Sequence, residues 1–129
     1  MQAFSIEQSI IEGDNQVQDL FDFVKNMSGS LEAYEMEKAV FARLMNIGSS
    51  AMKCYFASIG TGNKGPELLL EDGTVMAKQP GLCGRDYYSV FGKIKVPRTC
   101  YRCEGEDGIM PLDAMANLPD RCYSYLLQG

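Results

Sequence analysis

Along residues 15–26, NQVQDLFDFVKN, apolar side chains recur at Val17, Leu20, Phe21 and Val24. That is the i, i+3, i+4, i+7 spacing of an amphipathic helix, and Asp14 is placed to cap it. MSGS then interrupts the pattern. From Leu31 to Ser58 nothing stops a second, longer helix: Ser30 can cap it, Glu32, Glu35 and Glu37 sit near its positive end, and Gly60 and Gly62 end it. One apolar stripe runs through Ala33, Val40, Leu44, Ile47, Ala51 and Cys54, and a second through Tyr34, Phe41, Met45, Met52, Tyr55 and Ile59. A face that wide exceeds what the first helix can cover. Either the C-terminal half packs against it or a second copy of the chain does, and the heptad-like spacing at 40, 44, 47, 51 and 54 suits a homodimer through the long helix.

The pattern changes at residue 60. GTGNKGP is a loop by composition, and ELLLEDGTVMAK is two short runs around Asp72-Gly73, a hairpin signal. RDYYSVFGKIKVPRTCYRCE predicts a second hairpin bending at Phe91-Gly92. On its second strand, alternation sets Lys93, Lys95 and Pro97 on one face and Ile94, Val96 and Arg98 on the other. Pro97 lacks a donor, which makes this an edge strand or a bulge. GEDG is a turn, and LPDRCYSYLLQ begins like a helix with Pro119 in its first turn. The expected architecture is α+β: N-terminal helices including one long helix, then a small antiparallel sheet of two hairpins and a short C-terminal helix. One domain, 1–129, is expected, with a helical half at 1–59 and a β-hairpin half at 60–129.

Composition narrows the chemistry. The chain has no histidine, which removes the commonest acid–base group and every Ser-His or Cys-His nucleophile arrangement. Five cysteines, an odd number, fit reduced thiols better than a disulfide framework. No signal-like N-terminus or bilayer-length apolar run is present, so a cytoplasmic protein without membrane contact is expected. The reading frame stops at Gly129 with Tyr123, Leu126 and Leu127 uncovered.

Cys100-x-x-Cys103 has the spacing of one zinc knuckle, with Cys83 and Cys122 as distant candidates for the other two ligands; structural thiols are the simpler expectation, and no metal or cofactor is assigned. GTGNKG is not a phosphate loop, since it follows a helix, leads into none and lacks the Gly-Lys-Ser/Thr ending. Glu104, Glu106, Asp107 and Asp113 are read as solvated turn acids. No catalytic residue emerges, and the chain is read as not an enzyme.

Charge is unevenly distributed behind a net −5: residues 1–37 carry eight carboxylates against Lys25, and residues 78–103 carry six bases against Asp86. Within the basic stretch, Arg85, Lys93, Lys95, Arg98 and Arg102 alternate with Tyr87, Tyr88, Phe91 and Tyr101. Cations neutralise phosphates and rings offer stacking faces, so these residues are candidates for a nucleic-acid-binding ribbon. Equally, the rings can be core and the cations can keep an edge strand soluble, or the two charged halves can neutralise each other.

From Tyr55 to Gln128 the chain resembles the N-terminal region of the ISKra-type bacterial insertion-sequence transposases, through GTGNKGPELLLEDG, DYYSVFGKIKVPRTCYRC, MPLDAMANLP and YSYLLQ in that order. The resemblance implies a mobile-element origin and a region that recognises element ends or self-associates. It also implies that the metal-binding acidic triad belongs to a downstream catalytic domain outside the matched region, so no catalytic residue carries over. The function it implies is a non-catalytic, transposase-derived module binding DNA or a nucleoprotein as repressor or decoy. In that reading Arg85, Lys93, Lys95, Arg98 and Arg102 contact phosphate, and Tyr87, Tyr88 and Tyr101 stack. The alternative is an acidic protein-binding inhibitor carried by a mobile element or phage, for example against a host defence nuclease complex, with Asp14, Asp19, Asp22, Glu32 and Glu35 facing a basic partner.

Overall fold

A computed structural model describes residues 1–128, leaving Gly129 outside the described residues. Helix α1 spans Ile6–Met27 and α2 spans Ala33–Ile59. Helix α1 starts nine residues earlier than its clearest apolar repeat because Ser5 is the cap: its Oγ accepts from Gln8 N at 3.1 Å. Asp14 therefore lies inside the helix rather than at its start. At the start of α2, Glu32 N donates to Glu35 Oε1 at 3.0 Å, so Glu32 and not Ser30 occupies the capping position. Gly60, at φ +80°, closes α2, its N–H donating to Phe56 O at 3.0 Å.

The two helices pack antiparallel. Ser50 Oγ donates to Gln16 Oε1 at 2.8 Å in the middle of the contact, and the Arg43 guanidinium lies 3.4 Å from the Phe23 ring centroid further along. Ser9, Leu20 and Ser50 are the buried residues of this seam, with small side chains letting the helices approach.

The C-terminal half holds two antiparallel sheets. In the first, β1 (Glu67–Leu69), β2 (Val75–Lys78) and β5 (Tyr101–Arg102) stand in the order β1-β2-β5. Asp72-Gly73 turns the β1–β2 hairpin, with Gly73 at φ +89° and Asp72 Oδ1 accepting from Thr74 N at 2.9 Å. The second sheet pairs β3 (Cys83–Ser89) with β4 (Gly92–Arg98) through a turn at Val90-Phe91, one residue earlier than the sequence signal, since Ser89 pairs with Gly92. Phe91 at its tip rests on Gly48 of α2, where a Cβ would meet the ring at 2.2 Å.

Alternation along β4 holds as far as Val96, with Ile94 and Val96 buried and Lys93 and Lys95 exposed, and fails at Pro97, which is buried. The expected long second strand does not continue through Cys103. It breaks at Thr99-Cys100, and β5 leaves the hairpin to pair with β2, Ala77 opposite Arg102. The C-terminal segment also departs from expectation. A short helix α3 (Pro111–Met115) starts with Pro111 in its first turn and ends at Asn117, φ +48°, with Leu118 N donating to Asp113 O at 2.8 Å. Helix α4 is only Tyr125–Gln128; Pro119 precedes it and lies outside it.

Phe56 of α2, Ile94 and Val96 of β4 and Leu112 of α3 form the buried cluster that joins the halves, with Met52, Ile59 and Tyr87 packed around it. Part of the wide face of α2 is thus covered by the β half. The remainder is not: Tyr34, Phe41, Leu44 and Tyr55 stay exposed. No helix among the described residues is long and apolar enough to cross a membrane.

Candidate functional site

The pairing of β3 with β4 decides which cations face outward. Cys83 opposes Arg98, Arg85 opposes Val96 and Tyr87 opposes Ile94, so these six side chains share the face that carries the core. Gly84, Asp86 and Tyr88 oppose Pro97, Lys95 and Lys93 on the other face. Arg85 and Arg98 therefore project inward, where an unpaired guanidinium would be costly. Asp113 of α3 is the shared ion-pair partner of both. Arg98 Nη1 donates to its two carboxylate oxygens at 2.8 and 3.1 Å, and Arg85 Nη1 lies 3.5 Å from Oδ2. Arg85 Nη2 also donates to the Pro119 and Arg121 carbonyls, pinning the segment between α3 and α4.

These placements revise the sequence reading at five residues. Arg85 and Arg98, whose side chains are 13% and 12% exposed, are internal ion-pair partners and not phosphate contacts. Tyr101 is fully buried, its hydroxyl donating to Gly65 O at 2.8 Å and accepting from Lys64 N at 2.7 Å, so it offers no stacking face. Asp113 is not a solvated turn acid but the counter-charge of the two inward arginines. Tyr87 is half-buried against Phe56, with ring centroids 6.0 Å apart in an edge arrangement.

What remains outward on the hairpin is smaller. Tyr88 packs its ring 5.2 Å from Tyr123, and residues 122–124 bond along β3 beside it, Tyr88 N donating to Cys122 O and Ser124 N to Tyr88 O. Lys93 pairs with Asp86 at 3.6 Å, an exposed contact of the kind that contributes little. Lys95 and Arg102 are exposed without an ion-pair partner among the described residues, but they lie on different sheets. The structure does not bring the eight expected ribbon residues together on one surface.

The glycine-rich loop serves the core. Thr61 and Thr99 hydroxyls are 2.8 Å apart, Thr99 N donates to Thr61 O at 2.8 Å, and Gly62, at φ +82°, lets the backbone of Leu112 approach so closely that a Cβ would lie 2.6 Å from its nitrogen. Among the thiols, Cys100 is buried and Cys83 half-buried beside it. Burial pushes the Cys83 thiol above its ordinary pKa, Cys100 adds to this, and Arg98 opposes it. No group of three or more Cys, Asp or Glu side chains among the described residues stands close enough to hold a metal ion.

The helical half presents the opposite charge. Asp14, Asp19 and Asp22 lie exposed on α1, Asp22 accepting from Gln18 Nε2 at 3.1 Å, and Glu32 is exposed at the start of α2. Glu35 is half-buried and shares its carboxylate with the capping contact to Glu32 N. None of the five has an ion-pair partner among the described residues. Beside Asp14 runs an apolar groove of about 360 Å³, formed by Ile10, Val17, Ile47, Ala51 and Cys54, whereas Asp19 lines a separate pocket with Arg43 and Asn46. The i, i+7 spacing of Ile10 and Val17 is the sequence signal of this face, and a helix taken to begin near residue 15 leaves Ile10 out of it.

No family model, curated protein or solved structure matches this chain.

Proposed function

We propose that the chain is a non-catalytic protein-binding module whose acidic helical hairpin docks a basic partner surface, in the manner of a small inhibitor. The supporting observation is the asymmetry of neutralisation. Arg85 and Arg98 are consumed by Asp113 inside the fold, whereas Asp14, Asp19, Asp22, Glu32 and Glu35 have no ion-pair partner among the described residues. Charge left unpaired on a helix pair steers a complementary partner and sets its orientation.

A second reading, a transposase-derived module that touches nucleic acid, rests on a different observation: Lys78, Lys95 and Arg102 are exposed without ion-pair partners among the described residues. Two sets of charge reversals separate the readings. With a labelled oligo-lysine peptide as probe, Asp14→Lys, Asp19→Lys and Asp22→Lys together abolish binding, and Lys78→Glu, Lys95→Glu and Arg102→Glu together leave it intact. With labelled duplex DNA as the probe, saturable binding that the second set abolishes, together with no oligo-lysine binding by the unaltered chain, would overturn the protein-binding reading.

A further inference from the structure

We infer that the groove between α1 and α2 receives the apolar side of a cationic amphipathic helix from a partner protein, an inference that rests on the reading above and specifies its binding mode. The hairpin seam leaves a continuous apolar strip uncovered. On α1, Ile6, Ile10, Val17 and Phe21 are 45%, 50%, 41% and 65% exposed and fall on one side of the seam. On α2 the same side carries Leu44, Ala51 and Tyr55, and Ile47 floors the groove. Gly13 lines it without a side chain, with nothing within 4 Å of where a Cβ would stand, so the wall is lowest at its centre.

Two ridges running side by side with a trough between them accept a third helix whose anchors repeat at i, i+3, i+4 and i+7. The charge on the rims selects which helix. Glu7 and Asp14, seven residues apart, share the outer edge of α1, and Glu37, which precedes Leu44 by seven, shares the outer edge of α2. Lys25, the sole cation in the sequence of α1, stands at its far end. A helix with lysines or arginines flanking its apolar stripe meets Glu7 and Asp14 along the α1 side, with Glu37 about 15 Å beyond Ile47 along α2. A second copy of this chain would instead bring the same acidic rims against each other, and an anionic membrane surface would be repelled for the same reason.

The test compares two labelled peptides of identical leucine and lysine composition, one with leucines at helical i, i+3, i+4 spacing and one scrambled to have no apolar face. Fluorescence anisotropy with the full chain should give the patterned peptide an affinity roughly tenfold higher or more, about the effect of one well-buried aliphatic anchor. Ala51→Glu, an exposed position, should remove that advantage while both peptides still bind through charge. A photo-crosslinker on the patterned peptide's apolar side should label residues 10–17 and 47–54 of the unaltered chain, a readout that needs no variant. Equal affinity for the two peptides, or crosslinks elsewhere, would overturn the groove while leaving the acidic docking surface standing. Failure of both peptides would remove that surface too. A concentration-dependent doubling of mass that Ala51→Glu abolishes would assign the groove to a second copy instead.

Discussion

Asp113 on α3 holds Arg98 on β4 in a two-oxygen contact at 2.8 and 3.1 Å, which joins the C-terminal segment to the core hairpin and removes a cation of the hairpin from the surface. Arg85 approaches the same carboxylate at 3.5 Å from the neighbouring strand. One acid is therefore shared by two largely buried guanidinium groups, and its loss leaves both without a counter-charge.

Asp113→Ala should accordingly destabilise the fold by about 2–3 kcal/mol, the scale for stranding a largely buried ion-pair partner. Lys93→Ala, which removes the exposed contact to Asp86 and a 5.9 Å approach to the Tyr88 ring, should cost less than about 0.5 kcal/mol. Urea unfolding midpoints of the two variants check the contrast. Equal midpoints would mean that the Asp113 contacts do not hold the fold together.

Tyr101→Phe tests the second buried polar contact. The hydroxyl joins β5 to the Lys64-Gly65 loop through two hydrogen bonds, and removing it leaves the Lys64 N–H and the Gly65 carbonyl to find water. The expected loss is about 1–2 kcal/mol, with amide exchange at residue 64 accelerating more than in β4.

Two helical glycines should respond to alanine with opposite sign. At Gly13 nothing lies within 4 Å of the new methyl group, and the gain in helix propensity should raise stability by roughly 0.5–1 kcal/mol. At Gly48 the methyl group would meet the Phe91 ring at 2.2 Å, so the hairpin tip must lift from α2. Overpacking of this kind costs about 1–3 kcal/mol, enough to outweigh the propensity gain. Thermal unfolding of Gly13→Ala and Gly48→Ala reads both signs in one experiment.

Cys83 gives a pH dependence whose direction is set by its raised pKa. Between the unfolded and folded pKa values the native state keeps a proton that the unfolded chain has lost, so stability is fully present below the unfolded value, roughly pH 8.5. It declines as pH rises through the folded value. Cys83→Ala should flatten the alkaline limb of the stability profile, and iodoacetamide should modify Cys83 in the native chain more slowly than a free thiol at the same pH.

Much of the fold is legible in the amino-acid pattern, and what is not has physical causes. Helix α2 lies within two residues of its expected bounds because its stripes, acidic first turn and terminal glycine all agree. Helix α1 is longer than its apolar repeat suggests because Gly13 and Asp14 look like breakers, and a helix pairing that admits glycine has no signature in sequence. Alternation sets Arg98 on the same face as Ile94 and Val96, and a cation on a core face demands a carboxylate, so its inward direction follows from the pattern alone. Which carboxylate answers it does not follow, since Asp113 is fifteen residues away on a short helix signalled only by Pro111 and Asn117. Tyr101 departs from its expected place for another reason. The break at Thr99-Cys100 passes the chain to a different sheet, so the inside–outside parity of β4 does not carry through to it.

On the proposed reading the chain acts through the open acidic charge of its helices, the cations of the β3–β4 hairpin being largely paired within the fold. Titrating the unaltered chain at low salt with labelled oligo-lysine and with labelled duplex DNA tests it most directly, because electrostatic contacts are strongest there. Saturable binding of oligo-lysine that weakens as salt rises, with no binding of the duplex, is the result predicted. Saturable binding of the duplex and none of oligo-lysine would contradict it.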